Sequence, residues 1–304
     1  MFSTRLNQQI RLKNSRVCVG LDPRLEWLPS LITDKMVKEY GKTFKAVGQA
    51  ILEFNRQVID VVEPYVGVVK PQIAFYEQYG PDGLNAFWES IKYAHEKGLQ
   101  VVVDAKRGDI DSTAMAYANS LIGKTELFGV VTDCYGADCV TVNPFLGEDS
   151  IVPFIETAIK NETGVFILVK TSNPGSRDIQ DLKIKTLSVS EIVASWVNKY
   201  AKDNLDSMGY SSVGAVVGAT YPEVARELRK LMPHSIFLVP GFGVQGGELN
   251  LISNFFNRDG FGAIINSSRE VVFSDRRSDN RNYLSLIEMK VKELSLNINR
   301  ALKL

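Results

Sequence analysis

Val17-Cys-Val-Gly-Leu-Asp-Pro-Arg24 reads as a short buried strand that runs into an acidic turn. A doubly wound sheet carries a glycine-rich turn after its first strand, and Asp22-Pro23-Arg24 stands there instead. Further Val/Ile-rich runs follow at residues 66–69, 99–103, 139–142, 164–169, 213–217, 236–239 and 261–265, with longer helical patterns between them. Short apolar runs alternating with helices are the pattern of repeated βα units around a parallel sheet. Eight such units in 304 residues predict the α/β class and a single (β/α)8 barrel, the TIM-barrel architecture, as one domain over residues 1–304.

Two segments exceed what a barrel requires. Residues 25–42, with Pro29 among them, make a long first connection that predicts a small extra helix in an N-terminal insertion. At the other end Leu284, Ile287, Val291, Leu294, Ile298 and Leu302 fall three or four apart and predict one long amphipathic C-terminal helix lying on the barrel. Residues 130–133 are expected to be a loop, and residues 274–279 a lid or a solvated link to the last helix.

The 35 basic residues balance the 35 acidic ones, so no net field favours nucleic acid or an acidic membrane as the main partner. Cys18, Cys134 and Cys139 are an odd set without metal-type spacing. They are expected to pack in the core of a protein kept reduced. No signal-like start and no apolar stretch of spanning length is present, and the expected location is the cytoplasm. With only His95 and His234 in the chain, chemistry built on several histidines is excluded; both read as surface residues.

Catalytic residues of such barrels lie at the carboxyl ends of the strands. The densest charge is in Val101-Val-Val-Asp-Ala-Lys-Arg-Gly-Asp-Ile-Asp-Ser-Thr113, where an apolar strand meets four charges within six residues. Side chains alternate across a strand, so Asp104 and Lys106 point the same way, inward, if the strand continues that far. The competing reading is a solvated turn into a helix capped by Asp109 or Asp111. Asp22, Lys70, Lys170-Thr-Ser-Asn173, Gly241-Phe-Gly-Val-Gln245 and Asn266-Ser-Ser-Arg269 stand at other strand ends. The last two follow strands seven and eight, where barrels commonly hold phosphate. Gly241 and Gly243 let the backbone approach, Gln245 donates an amide hydrogen, and Arg269 grips phosphate oxygens in a fork.

The chain resembles the orotidine 5′-phosphate decarboxylase family, in its larger-chain branch. The likeness rests on Gly20-Leu-Asp-Pro-Arg24, Lys70-Pro-Gln72, Asp104-Ala-Lys-Arg-Gly-Asp109 with Thr113, Val142-Asn-Pro144, Lys170-Thr-Ser-Asn-Pro-Gly-Ser176, Pro240-Gly-Phe-Gly-Val-Gln245 and Ser268-Arg269. The resemblance implies a homodimer that turns orotidine 5′-phosphate into UMP without metal or organic cofactor. It makes Lys106 the proton donor to C6, flanked by Asp104, by Lys70 and by Asp109 of the neighbouring subunit. Thr113 crosses the same interface to the ribose. It assigns Asp22 to a ribose hydroxyl, Ser172 to the pyrimidine, and Gln245 and Arg269 to the 5′-phosphate, with Gly241, Gly243, Ser268 and Asn143 as further substrate contacts.

Expelling carbon dioxide from a ring carbon leaves an electron pair with no adjacent carbonyl to absorb it. Enzymes facing the slowest reactions lower barriers by on the order of 20 kcal/mol. A fixed ammonium beside the carbon supplies roughly 4 kcal/mol per close charge contact at an effective dielectric near 20, so remote phosphate and ribose binding must supply much of the rest. Two alternatives differ in chemistry: a magnesium-dependent sugar-phosphate decarboxylase or aldolase on the same barrel, and a non-catalytic nucleotide-binding barrel.

Overall fold

The computed structural model describes residues 1–242, 249–274 and 282–304. Eight parallel strands close into a barrel: β1 (Val17–Leu21), β2 (Val68–Pro71), β3 (Gln100–Arg107), β4 (Cys139–Val142), β5 (Gly164–Lys170), β6 (Ser211–Val217), β7 (Ser235–Val239) and β8 (Ala263–Ser267). They follow one another around the barrel in chain order, with β8 pairing back on β1. Each falls on one of the apolar runs, shifted by no more than two residues at its start.

The extra helix in the first connection is Ser30–Tyr40, entered through Pro29, and the C-terminal helix is Tyr283–Leu302, burying Ile287, Val291 and Ile298. Other helices are set by local chemistry. Thr43 caps Phe44–Val62 by accepting from the Ala46 amide, and Ser188 with Glu191 forms a reciprocal capping box on Val189–Lys202. Residues 130–133 depart from expectation. Val130–Thr132 pairs antiparallel with Thr125–Leu127 in a small exposed hairpin, whose β-branched residues favour an extended chain although no core lies beneath.

Side-chain alternation divides the barrel interior from the layer under the helices. Cys18, Val68, Val102, Cys139, Phe166, Val216, Ile236, Leu238 and Ile264 form the inner cluster, together with Phe2, Leu6 and Ile10 of the N-terminal helix Phe2–Lys13. That helix plugs the amino end of the barrel, a role nothing in its short polar sequence announced. Its edge is tied down where Arg5 and His95 both meet Asp138, at 2.8 Å each. His95 is therefore a docking residue, and His234 holds the Gly209 carbonyl at 2.9 Å. Cys18 and Cys139 pack as expected, but Cys134 is exposed, because it lies on the strand-free stretch after the hairpin. Burial raises the Cys18 thiol to about 12, so it stays protonated and inert. Among the described residues no helix is long and apolar enough to cross a membrane.

Leu6 is fully buried in the plug whereas Leu12 on the same helix is 77% exposed. Leu6→Ala is expected to lower unfolding stability by about 2–5 kcal/mol and Leu12→Ala by less than about 0.5 kcal/mol in urea titrations. Equal effects would mean that the helix does not pack as described.

Candidate active site

Two residues further along the inner rows, the same alternation that fills the floor with apolar side chains delivers polar ones to the mouth. Above Val68 comes Lys70, above Val102 Asp104, above Cys139 Thr141, and above Ile264 Asn266. Lys70, Asp104 and Thr141 are all buried. The Asp104 carboxylate takes Lys70 Nζ on Oδ2 at 2.7 Å and Lys106 Nζ on Oδ1 at 2.5 Å. Thr141 Oγ1 donates to the same Oδ1 at 3.0 Å.

Asp104 and Lys106 do come together, but not through an uninterrupted strand. Val103 pairs with Val140 and Arg107 with Val142, so β3 covers four steps where β4 covers two. The extra length forms a bulge in which Lys106 adopts a left-handed φ of 47°. From this bulge the Lys106 side chain reaches Asp104. The Lys106 side chain stays 43% exposed, whereas that of Lys70 is 3% exposed.

The ionisation of the pair follows from competing effects. Burial disfavours the Asp104 carboxylate, yet the charges of Lys70 and Lys106 overcome it and hold this carboxyl far below the usual range. Burial likewise opposes the Lys70 ammonium, and Asp104 and Asp22 more than offset it, raising Lys70 above its ordinary value. The Asp104 contribution to stability is present above its unfolded pKa of about 4 and is lost as pH falls through the lower folded value. The Lys70 contribution is present below about 10.4 and lost as pH rises through the higher folded value. Both charges therefore persist across the neutral range.

A cleft of about 200 Å³ opens beside this array. Of the expected site residues, Asp22, Lys70, Asp104, Ser172, Gly241, Ser268 and Arg269 line it. Gly241 has φ 84°, a conformation that calls for glycine. Gly20 is needed for closeness: a Cβ there would lie 1.8 Å from Ser268 Oγ. Ser172 is seated against Gly218, whose Cβ would meet the Ser172 backbone at 2.7 Å, and its carbonyl accepts from Thr220 Oγ1. Arg24 stacks on Trp27 and on Phe75, which is itself part of the cleft wall. Gly243 and Gln245 lie outside the described residues, as do residues 275–279 of the suggested lid.

Other expected residues are not in the cleft wall, Lys106 among them, which is tied to the cleft through its contact with Asp104. Asp109 precedes the helix Asp111–Ile122 and does not start it; Ile110 is the N-cap and no side chain caps that end. The capped-turn reading therefore fails for both Asp109 and Asp111, since Asp109 Oδ1 instead accepts from the neighbouring Ile110 amide. Thr113 is exposed. Asn143 turns away from the cleft: its Oδ1 accepts from the Phe145 amide, and its carbonyl lies where a Cβ on Gly108 would be. Its place is in shaping the turn.

Gln72, Asn266 and Ser267, quoted at strand ends in the sequence but given no role there, stand in the cleft wall, and Thr141 behind Asp104 was missed altogether. Continuing the alternation two residues beyond Lys70 and beyond Ile264 puts Gln72 and Asn266 on the inward face. Asp22 Oδ1, Asn266 Oδ1 and Ser267 Oγ are buried without a hydrogen-bond partner among the described residues. Such groups cost about 1–3 kcal/mol each unless a ligand satisfies them, which makes the cleft a binding site for a polar molecule. No three His, Cys, Asp or Glu side chains gather as a metal-ligand set among the described residues.

Asp104→Asn leaves Lys70 buried without its carboxylate. Stability is expected to fall by about 3–5 kcal/mol at pH 7. The deficit should narrow toward about pH 10, because the unpaired Lys70 then sheds its proton on folding at less cost. Denaturant titrations at both pH values check this; a variant as stable as the parent would contradict the buried pairing.

The family model described as orotidine 5′-phosphate decarboxylase / HUMPS family matches residues 15–279. An orotidine 5′-phosphate decarboxylase of Rhodopirellula baltica is 46% identical over 278 residues, covering 91% of this chain and 90% of that protein. One of Caldicellulosiruptor bescii is 38% identical over 301 residues, with 99% of each chain covered. Among solved structures, Leishmania donovani OMP decarboxylase superposes with a TM-score of 0.77 at 31% identity, covering 100% of this chain and 99% of that one. Match length, identity and the shared barrel agree with the motifs at the strand ends, and the chain belongs to the orotidine 5′-phosphate decarboxylase / HUMPS family.

Proposed function

We propose that this chain decarboxylates orotidine 5′-phosphate to UMP in de novo pyrimidine synthesis, working in the cytoplasm as one barrel domain over residues 1–304. The observation that carries the reading is Asp104 gripping two ammonium groups at the mouth of a polar cleft in a member of this family. The C6–carboxylate bond breaks, carbon dioxide leaves, and the bonding pair stays on C6. The Lys106 ammonium gives its proton to C6, and the neutral amine is reprotonated from water. Because Asp104 already holds Lys106 Nζ at 2.5 Å, little reorientation is needed when the negative charge develops.

The remaining roles follow the cleft outward. Asp22, with an unpartnered buried oxygen, suits a ribose hydroxyl. Ser172 meets the pyrimidine, and Arg269 with Gln245 holds the 5′-phosphate beside Ser268, Gly241 and Gly243. Lys70 keeps Asp104 ionised. A homodimer supplies Asp109 and Thr113 to the neighbouring site. In support, Thr113 is exposed, Asp109 is partly so, and the apolar Ile110 that follows Asp109 is left 48% exposed on a lone barrel. A magnesium-dependent sugar-phosphate reaction is disfavoured because both Asp104 oxygens are already taken by lysines and Thr141. The intact charge array likewise argues against a silent nucleotide-binding barrel.

Addition of orotidine 5′-phosphate to the purified protein is expected to give a loss of pyrimidine absorbance that EDTA does not slow. Lys106→Ala is expected to lose at least about 10³-fold in kcat while UMP binding stays measurable. Turnover retained in that variant would remove Lys106 from the donor role, and loss of turnover with EDTA would favour the metal-dependent chemistry.

A further inference from the structure

Thr141 lies in the middle of β4, is 1% exposed, and does not line the cleft. Its hydroxyl nevertheless has three partners. It accepts from the Ala105 amide at 3.0 Å and the Lys106 amide at 2.9 Å, and it donates to Asp104 Oδ1 at 3.0 Å. A hydroxyl has one hydrogen and two lone pairs, so this set uses its full capacity. Since both amides are donors, the hydrogen can go only to the carboxylate.

The two amides are those of the bulge in β3, where the ladder to β4 is interrupted between Val103 and Arg107. Partly buried amides left without an acceptor would oppose the bulge, and the left-handed φ of Lys106 adds strain of about 1–3 kcal/mol. Such a conformation persists only where its surroundings over-determine it. One side-chain oxygen on the neighbouring strand does so here, and the same oxygen orients the carboxylate that receives Lys106 Nζ.

We propose that Thr141 is a positioning residue for the decarboxylation: it fixes the backbone bend that presents Lys106 and the carboxylate that holds its amine, and so sets the donor's place relative to the pyrimidine. The inference rests on the proposed reaction but concerns a residue that touches no substrate. A valine at 141 keeps the shape and removes every one of the three bonds, whereas serine keeps the hydroxyl and removes only a methyl group.

Steady-state kinetics with orotidine 5′-phosphate and UMP binding by calorimetry test it. Thr141→Val is expected to lower kcat by about 10- to 100-fold, the loss of one to two bonds' worth of orientation, with KM and UMP affinity within about threefold. Thr141→Ser is expected to recover kcat to within about threefold of the parent. Should Thr141→Val not fold, Thr141→Ala against Thr141→Ser, which differ by one oxygen, reads the same contrast. Full kcat in the variants lacking the hydroxyl overturns the inference, as does a serine variant no better than alanine. If the parent itself shows no turnover, the reaction assignment fails instead, so the two failures are distinguishable.

Discussion

A single carboxylate buried between two ammonium groups is the constraint around which this molecule is arranged. Burial by itself disfavours the charged form of Asp104 and of Lys70, whose side chain is 3% exposed. Together they stay charged, because each ion supplies what burial took from the other. The arrangement accepts a desolvation penalty of several kcal/mol per ion, which is tolerable only if the geometry is close and further hydrogen bonds support the ions. The Lys70, Lys106 and Thr141 contacts meet those conditions on Asp104.

The barrel makes this possible by running one alternation from floor to mouth. Its lower inner rows are apolar and sealed by Phe2, Leu6 and Ile10, so water is kept from beneath the ions and their fields are weakly screened. Its upper rows carry the polar groups, three of whose buried atoms have no partner among the described residues. Unmet polarity of this sort is stability withheld from the empty protein and returned when a ligand binds. A substrate with ribose and phosphate groups has the hydroxyls and oxygens to satisfy it.

Much of this was legible in the sequence, and the failures have definite physical origins. Strand runs such as Cys139–Val142 are visible because a parallel barrel buries both faces, leaving short unbroken apolar segments. Asp104 was placed inward for the correct reason. Lys106 reached the same carboxylate through a bulge, which depends on a hydrogen bond from another strand and so has no local signature. Thr141 was overlooked because threonine inside a Val-rich strand reads as ordinary β-propensity. The helix ahead of β1 was missed as a plug, since Phe2, Leu6 and Ile10 are too few to stand out until the barrel floor they fill is in view. Asp109 and Asp111 read as caps of the helix that follows, yet its N-cap is Ile110 and no side chain caps that end, so the boundary carries no capping signal to read.

In the proposed reaction the Lys106 amine, held by Asp104, occupies the place where a proton must arrive at C6. A crystal structure of the protein with UMP bound tests it most directly. C6 is expected within about 3.5 Å of Lys106 Nζ, with the Lys106–Asp104 and Lys70–Asp104 pairs both kept. A pyrimidine ring seated away from that amine, or a Lys106 turned to solvent with UMP in the cleft, would contradict it.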